Sequence, residues 1–457
     1  MYNIYYRYLY IFQLYEYDLY KFILFVLRSR IFKKYNFKDK LVYTIKIKTY
    51  IVFTLILQII TLYLTIVYSK NIIPVILFVI LIYFLTPIYI ILSSVILEPI
   101  SLILEGIVIE KAKRKVKSIN NLKIIAVTGS YGKTSTTSFI YTLLNGDKKV
   151  FTPKGNVNTS SVNTIMGISL SINSGMPLNT EILLLEVGAY KKGDIKRVCK
   201  MFPPDISVIT SIGTEHLERF KSRENIIEAE SENIIFAKKN SIVILPEDVY
   251  NIKTIPKIDS KEYRVTKFKE TNFSNLKTYF RKDKKIYHTS LLGKAMLSNL
   301  TIAIDIAKLL DISNIQGKLQ MIKPVERRLY PYYKKDILFI DDTYNIGIES
   351  AEQALNVLMF LKSKKVGSRT AILTGGIVEL GMETESANKS YGELLNKINV
   401  IFLFNTPYTK YIENGINNKK KIIYIKDYKE FDYMKESILK KGDIVLMQNE
   451  ITDLYYI

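Results

Sequence analysis

The sequence predicts an α/β protein: two successive domains built on mostly parallel sheets, preceded by an α-helical transmembrane hairpin. Three observations carry this. Two long stretches, Thr49 to Tyr68 and Asn71 to Leu97, contain no charged residue. From Asn120 onward, short apolar runs of strand length alternate with helical patterns in two series, as two parallel α/β sheets require. The first of those runs leads into Gly129-Ser130-Tyr131-Gly132-Lys133-Thr134, a glycine loop at a helix start and so a ready anion site.

Taking the elements in order, residues 1–48 form an apolar, tyrosine-rich and then basic segment. Met1 to Leu27 carries Glu16, Asp18 and Lys21 among tyrosines, the pattern of an amphipathic helix lying at a membrane interface. Residues 49–97 read as the hairpin, since a run of about 20 apolar residues crosses a bilayer core. Pro87 predicts a kink in the second span. Basic residues flank both ends, Arg28 to Lys48 before and Lys111 to Lys117 after, and the short loop has only Lys70. That bias predicts both ends in the cytoplasm. Residues 98–118 read as a basic juxtamembrane helix, 119–322 as a first α/β domain and 323–457 as a second, with the boundary near Lys323-Pro324.

The chain has 457 residues and a formal net charge of +22. No arginine-rich or aromatic-interleaved segment accompanies that charge, so the expected anionic partners are lipid and nucleotide, not nucleic acid. A single cysteine, Cys199, excludes an internal disulfide or cysteine zinc site and reads as a buried small apolar residue.

Strand candidates in the first series are Lys123–Thr128, Glu181–Val187, Ile206–Thr210 and Ser241–Leu245, followed by a mixed strand region to about Ser290 and a helix from Lys294. The second series has Ile337–Ile340, Thr370–Thr374, Val400–Phe404, Ile422–Ile425 and Ile444–Met447. Parallel sheets bind ligands beyond their carboxyl strand ends, and polar groups gather there. Loop amides after Thr128 are placed to cradle phosphate, with Lys133 on the terminal phosphates and the Thr134 hydroxyl on Mg²⁺. Glu186 closes a buried run, which suits a Mg²⁺ ligand or an ordinary strand-end acid. His216 follows the third run, inside Thr214-Glu215-His216-Leu217-Glu218, as a phosphate or metal contact or a satisfied polar group. Asp341-Asp342-Thr343-Tyr344-Asn345 makes a ligand-facing turn or a capped strand-to-helix loop. Glu326-Arg327-Arg328 offers guanidinium groups for a γ-phosphate, or plain surface charge.

In this order, Thr-Gly-x-x-Gly-Lys-Thr, Leu-Glu-x-Gly, Thr-x-x-x-x-Glu-His-Leu-Glu and Asp-Asp-x-Tyr-Asn resemble the Mur ligases over about Leu122 to Ile457. The segments Asp341–Asn345 and Gly375–Gly381 are most similar to the MurF branch. The resemblance implies a central P-loop ATPase domain, a C-terminal Rossmann-like domain, ATP and Mg²⁺, and amide formation through an acyl phosphate. It implies catalytic roles for Lys133, Glu186, His216 and Arg328. It implies cofactor contacts from Gly129, Ser130, Tyr131, Gly132, Lys133, Thr134, Ser135, Asn299, Arg328, Asp342, Tyr344 and Asn345. Thr134, Glu186, His216 and Glu230 would be metal ligands. The implied partners are a carboxylate-bearing wall precursor, lipid-linked or free, an amino acid or dipeptide, and membrane lipid.

Four positions depart from that pattern. Glu230 stands where the family carries a carbamylated lysine, Asn388 replaces a histidine, and Gln448-Asn449-Glu450 replaces Lys-Gly-Ser. The hairpin occupies the place of the UDP-sugar-binding domain. An amide ligase similar to the poly-γ-glutamate synthases, or an ATP-binding scaffold for wall-synthesis proteins, are the alternatives.

Overall fold

The run Lys123–Thr128 becomes strand β1 at the middle of a six-stranded sheet, buried at every residue but the first. The computed structural model describes residues 4–15, 17–28, 41–69, 71–153, 162–274, 276–344, 346–365 and 367–448. Asn345, Lys70, Asn449, Glu450 and most of the basic segment before the hairpin lie outside them. The chain divides between Ile107 and Val108 into two compact units.

In the first unit, helices span Ile4–Leu14, Leu19–Arg28, Ile45–Tyr68, Ile72–Phe84 and Thr86–Lys117, the last running on into the second unit. Two of them, Ile45–Tyr68 and Thr86–Lys117, are long and apolar enough to cross a membrane. At about 1.5 Å per residue, their 24 and 32 residues exceed a hydrocarbon layer of about 30 Å. The uncharged stretch 71–97 is not one helix. It breaks at Leu85 (φ −83°, ψ 2°), and Pro87, which lacks an N–H, takes the first turn of the next helix, where that loss costs least; Pro99 is carried inside that helix. Residues 98–117 continue the helix begun at Thr86, with no separate juxtamembrane helix. The expected interfacial helix is two helices instead. Tyr8, Leu9, Ile11, Phe12 and Phe22 are buried with Ile47, Tyr50 and Ile90. Much of the tyrosine-rich face is therefore covered by protein. Thr54 and Ser93 share a buried hydrogen bond of 3.0 Å, and Thr61 meets Tyr89 at 2.8 Å. Polar side chains join apolar helices this way.

In the second unit, β1, β2 (Val150–Phe151), β3 (Ile182–Glu186), β4 (Ile206–Ile209), β5 (Ile242–Pro246) and β6 (Glu262–Thr266) form an all-parallel sheet in the order β2-β3-β1-β4-β5-β6. β3 and β4 are buried throughout, which is why β3 reads as an apolar run up to Glu186 and β4 is interrupted only by Ser207, whose hydroxyl donates to Asn233 O. The mixed region resolves into β6 and a separate antiparallel meander of β7 (Lys269–Ser274), β8 (Lys277–Lys282) and β9 (Lys285–Thr289). The helix Lys294–Leu309 packs against the helix Lys133–Leu144 that follows the glycine loop.

The second sheet holds β10 (Tyr330–Lys334), β11 (Ile337–Asp342), β12 (Thr370–Thr374), β13 (Val400–Phe404), β14 (Ile422–Ile425) and β15 (Ile444–Gln448), ordered β10-β11-β15-β12-β13-β14. Only the edge pair β10–β11 is antiparallel. Sequence reading did not predict β10. Its Pro331 argues against a strand but is tolerated at a sheet edge. Cys199 is buried, as expected, and burial pushes its thiol up to about 12.

Candidate active site

The parallel register delivers the polar groups together. Val127 lies opposite Glu186, and Thr128 opposite Ile209, so β1, β3 and β4 end at one level. The loop after β1 turns through two left-handed glycines, Gly129 (φ 129°) and Gly132 (φ 86°), a conformation open to glycine at little cost. Space demands glycine as well. A Cβ on Gly129 would lie 2.3 Å from Thr210 Oγ1 and 2.9 Å from the Ser211 amide nitrogen. One on Gly132 would lie 2.6 Å from Asn299 Nδ2.

Two of the loop amides expected to cradle phosphate are engaged within the protein. Ser130 N–H donates to Ser211 O and Tyr131 N–H to Ser211 Oγ, both at 2.9 Å. Those amides tie the loop to the end of β4, so the cradle narrows to the helix start from Gly132. The Tyr131 ring packs on Gly213 and Gly347, where a Cβ would overlap it. Burial, with Glu215 and Glu349 nearby, holds its hydroxyl well above the usual range.

Lys133 Nζ donates to Ser130 O at 3.0 Å and to Glu215 Oε2 at 3.2 Å. Burial opposes its charge, but Glu215, Glu230 and Glu186 together hold its pKa raised. Thr134 Oγ1 donates to Glu186 Oε1 at 3.0 Å. Across the domain boundary, Arg328 Nη2 donates to the same hydroxyl at 3.0 Å, while its guanidinium lies 4.2 Å from the Tyr344 ring centre. Arg327 turns the other way, to Thr343 Oγ1. Glu186 is 4 % exposed and its Oε2 has no hydrogen-bond partner. A buried carboxylate oxygen without a donor is unfavourable unless a cation serves it. A hydroxyl beside it completes a donor pair that suits Mg²⁺. Among the described residues, no three of His, Cys, Asp and Glu form a ready metal cage. Of the four expected ligands, Thr134 and Glu186 share a hydrogen bond.

Glu230, on the helix Arg223–Ile235, is 5 % exposed and accepts from Thr128 Oγ1. It faces the loop from below, unlike the exposed Glu228 or Glu232, which caps Gly193 and Lys196. Burial raises its pKa while Lys133 lowers it. His216, with φ 57°, contacts Glu379 of the second domain through Nδ1, and its Nε2 lies 3.9 Å from Glu215 Oε1. Asn299, Arg328, Leu329 and Asp342 line one cleft with Tyr131 and Gly132. Asp342 Oδ1 accepts from Leu329 N–H at 3.2 Å, and burial lifts its carboxyl to about 6.

Glu215 and Glu379 stand inside the motifs, and nothing in the sequence assigns either a role. Each acquires its partner from a distant element, and no spacing signals that. Asn388 and Gln448 are two of the positions that depart from the family's pattern. Both are buried and hydrogen-bonded: Asn388 Oδ1 accepts from Ile377 N–H at 2.9 Å, and Gln448 Oε1 accepts from Tyr391 OH at 2.8 Å. Asn388 is held by the Ile377 backbone, while Gln448 lies beside Asp342.

Residues 127–307 match the Mur ligase middle domain family. The chain is 27 % identical to the UDP-N-acetylmuramoyl-tripeptide–D-alanyl-D-alanine ligase of Bacillus subtilis over 349 residues, 71 % of this chain and 72 % of that protein. It is 27 % identical to the Rickettsia prowazekii enzyme of the same name, over 73 % of this chain and 78 % of the other. Among solved structures, the MurF ligase of Thermotoga maritima in complex with ADP superposes with a TM-score of 0.67 at 27 % identity, covering 76 % of this chain and 80 % of that one. MurF of Acinetobacter baumannii shares the fold, with a TM-score of 0.64 at 21 % identity over 76 % and 77 %. With the fold, the ordered motifs and these likenesses in agreement, residues 127–307 carry a Mur ligase middle domain and the chain is MurF-like.

Proposed function

We propose that this chain is an ATP-dependent carboxylate–amine ligase of peptidoglycan precursor synthesis, working through an acyl phosphate. The observation that carries the reading is the convergence on Thr134. Glu186 from the first domain and Arg328 from the second both hydrogen-bond its hydroxyl, so the phosphate loop is served from both sides. Lys133 leaves its loop carbonyls and Glu215 to meet the β- and γ-phosphates. Arg328 meets the charge on the transferring group, and Asn299 and Asp342 border the nucleoside. Thr134 and Glu186 would hold Mg²⁺, which would neutralise phosphate charge, and His216 and Glu230 would be its further ligands. Such transfers depend on positioning and electrostatics. The substrate carboxylate attacks the γ-phosphorus and ADP leaves. An amine then attacks the acyl carbon, releasing phosphate and a proton and forming the amide. Domain closure keeps water from the acyl phosphate.

The relatives' names support a muramoyl-tripeptide acceptor and D-alanyl-D-alanine. The apolar helices support attachment to the cytoplasmic membrane with the α/β domains, 119–322 and 323–457, on the cytoplasmic side, and a lipid-linked acceptor is compatible with that placement. The test is ADP release by the full chain with UDP-muramoyl-tripeptide and D-alanyl-D-alanine. Lys133→Ala should slow it about a thousandfold, some 4 kcal/mol of barrier. Unchanged turnover in the folded variant refutes the reading.

A further inference from the structure

We infer that Glu379, carried by the second domain, is a positioning residue that sets the His216 ring, so that this edge of the phosphate site is complete only when the two domains meet. The inference rests on the ligase reading of the site. His216 and Glu379 lie in different domains, yet the Glu379 carboxylate contacts His216 Nδ1. Both residues hold left-handed backbone, φ 57° and φ 61°, a conformation that costs a non-glycine residue about 1 kcal/mol or more. Two strained residues therefore meet through their side chains, and strain held on both sides of one contact points to a geometric requirement there.

The backbone fixes the same junction. Glu218 N–H donates to Glu379 O at 2.8 Å. Asn388 holds the loop that bears Glu379 by accepting from Ile377 N–H and donating to Ile377 O and Thr384 O, each at 2.9 Å. On the other side of the ring, Nε2 faces Glu215, whose second oxygen accepts from Lys133 at 3.2 Å. The Tyr190 ring lies 4.9 Å from the imidazole, and Arg219 lies 4.0 Å from Glu379 Oε1. Glu379 thus contacts His216, and His216 stands beside Glu215, the carboxylate that accepts from Lys133.

A carboxylate at Nδ1 favours the tautomer with the proton there, with Nε2 on the Glu215 side of the ring. Histidines that serve a cation are oriented by such a carboxylate, and its loss typically costs 10- to 100-fold. The chain has only two histidines, so ¹⁵N-imidazole solid-state NMR of the full-length protein reads His216 directly, with His288→Asn assigning the other. Wild type should show the Nδ1–H tautomer. Glu379→Ala should mix the tautomers and lower kcat about 10- to 100-fold, with the Kd for a fluorescent ADP analogue within about twofold. Glu379→Gln, whose amide oxygen still accepts, should restore most of both signals. A wild-type tautomer in Glu379→Ala overturns the inference. So does a Glu379→Gln protein that keeps the tautomer but is as slow as the alanine variant. If Glu379→Ala does not fold, Glu379→Asp decides: withdrawing the carboxylate by one methylene should perturb the His216 resonances, and no perturbation overturns the inference. The spectra need no turnover, so a chain without ligase activity would fail the ADP-release assay and leave this result readable.

Discussion

Replacing Gly132 by alanine tests whether the glycine loop is held as described. Two costs are separable. The residue sits at φ 86°, so any side chain adds about 1 kcal/mol of backbone strain. The new Cβ would also stand 2.6, 2.7 and 2.9 Å from three atoms of the Asn299 side chain. Asn299 is 5 % exposed, and displacing a buried amide side chain costs about 1–3 kcal/mol. Gly132→Ala should therefore destabilise the protein by about 2–4 kcal/mol and weaken ADP-analogue binding. Adding Asn299→Ala removes the obstacle but not the strain. Urea unfolding of the two single variants and the double should show a coupling of about 1–3 kcal/mol, leaving roughly 1 kcal/mol from the backbone. A Gly132→Ala protein as stable as wild type, or strictly additive variants, would show that Asn299 does not close over this loop.

Glu230→Gln keeps an acceptor for Thr128 but removes the charge facing Lys133; turnover should slow and its Mg²⁺ dependence weaken, while wild-type activity should not respond to bicarbonate. An identical Mg²⁺ titration would reduce Glu230 to a packing role. Asp342, lifted to about 6 by burial, keeps its proton in the folded state at pH values where the unfolded chain has lost it. Ligand-free stability should therefore fall as pH rises from about 4 to 6, by up to ~3 kcal/mol for a shift of about 2 pH units. Asp342→Asn should abolish that slope and stabilise the protein at pH 7 while slowing ATP turnover; matching slopes in urea titrations at pH 4, 5, 6 and 7 would contradict this. For the apolar helices, topology reporters inserted between Tyr68 and Ile72 and after Lys117 should report opposite sides of the membrane. Reporters on the same side, or a chain that stays in solution without detergent, would exclude the hairpin.

The parallel strands were readable because burial on both faces writes each as a mostly apolar run, and the glycine loop because its φ angles and close approaches leave no alternative residue. Lys133 and Thr134 follow directly, at the helix start after the glycine loop, and Glu186 as the last residue of its strand. The break at Leu85 was half-readable, since Pro87 announced a disturbance but not that the helix would restart at Thr86. The edge strand β10 was hidden by Pro331, which only an edge position tolerates. What tertiary structure alone decided is the pairing across domains. Arg328 and Thr134 are 194 residues apart, and His216 and Glu379 are 163 apart. Asn388 illustrates the same limit: as sequence it was a missing histidine, and in the fold its amide fits a set of backbone partners that only the packed loop provides. Local sequence fixes which chemistry stands at a strand end, because strand and turn are short-range structures. Which groups share a hydrogen bond depends on how two sheets pack, and that is a property of the whole chain.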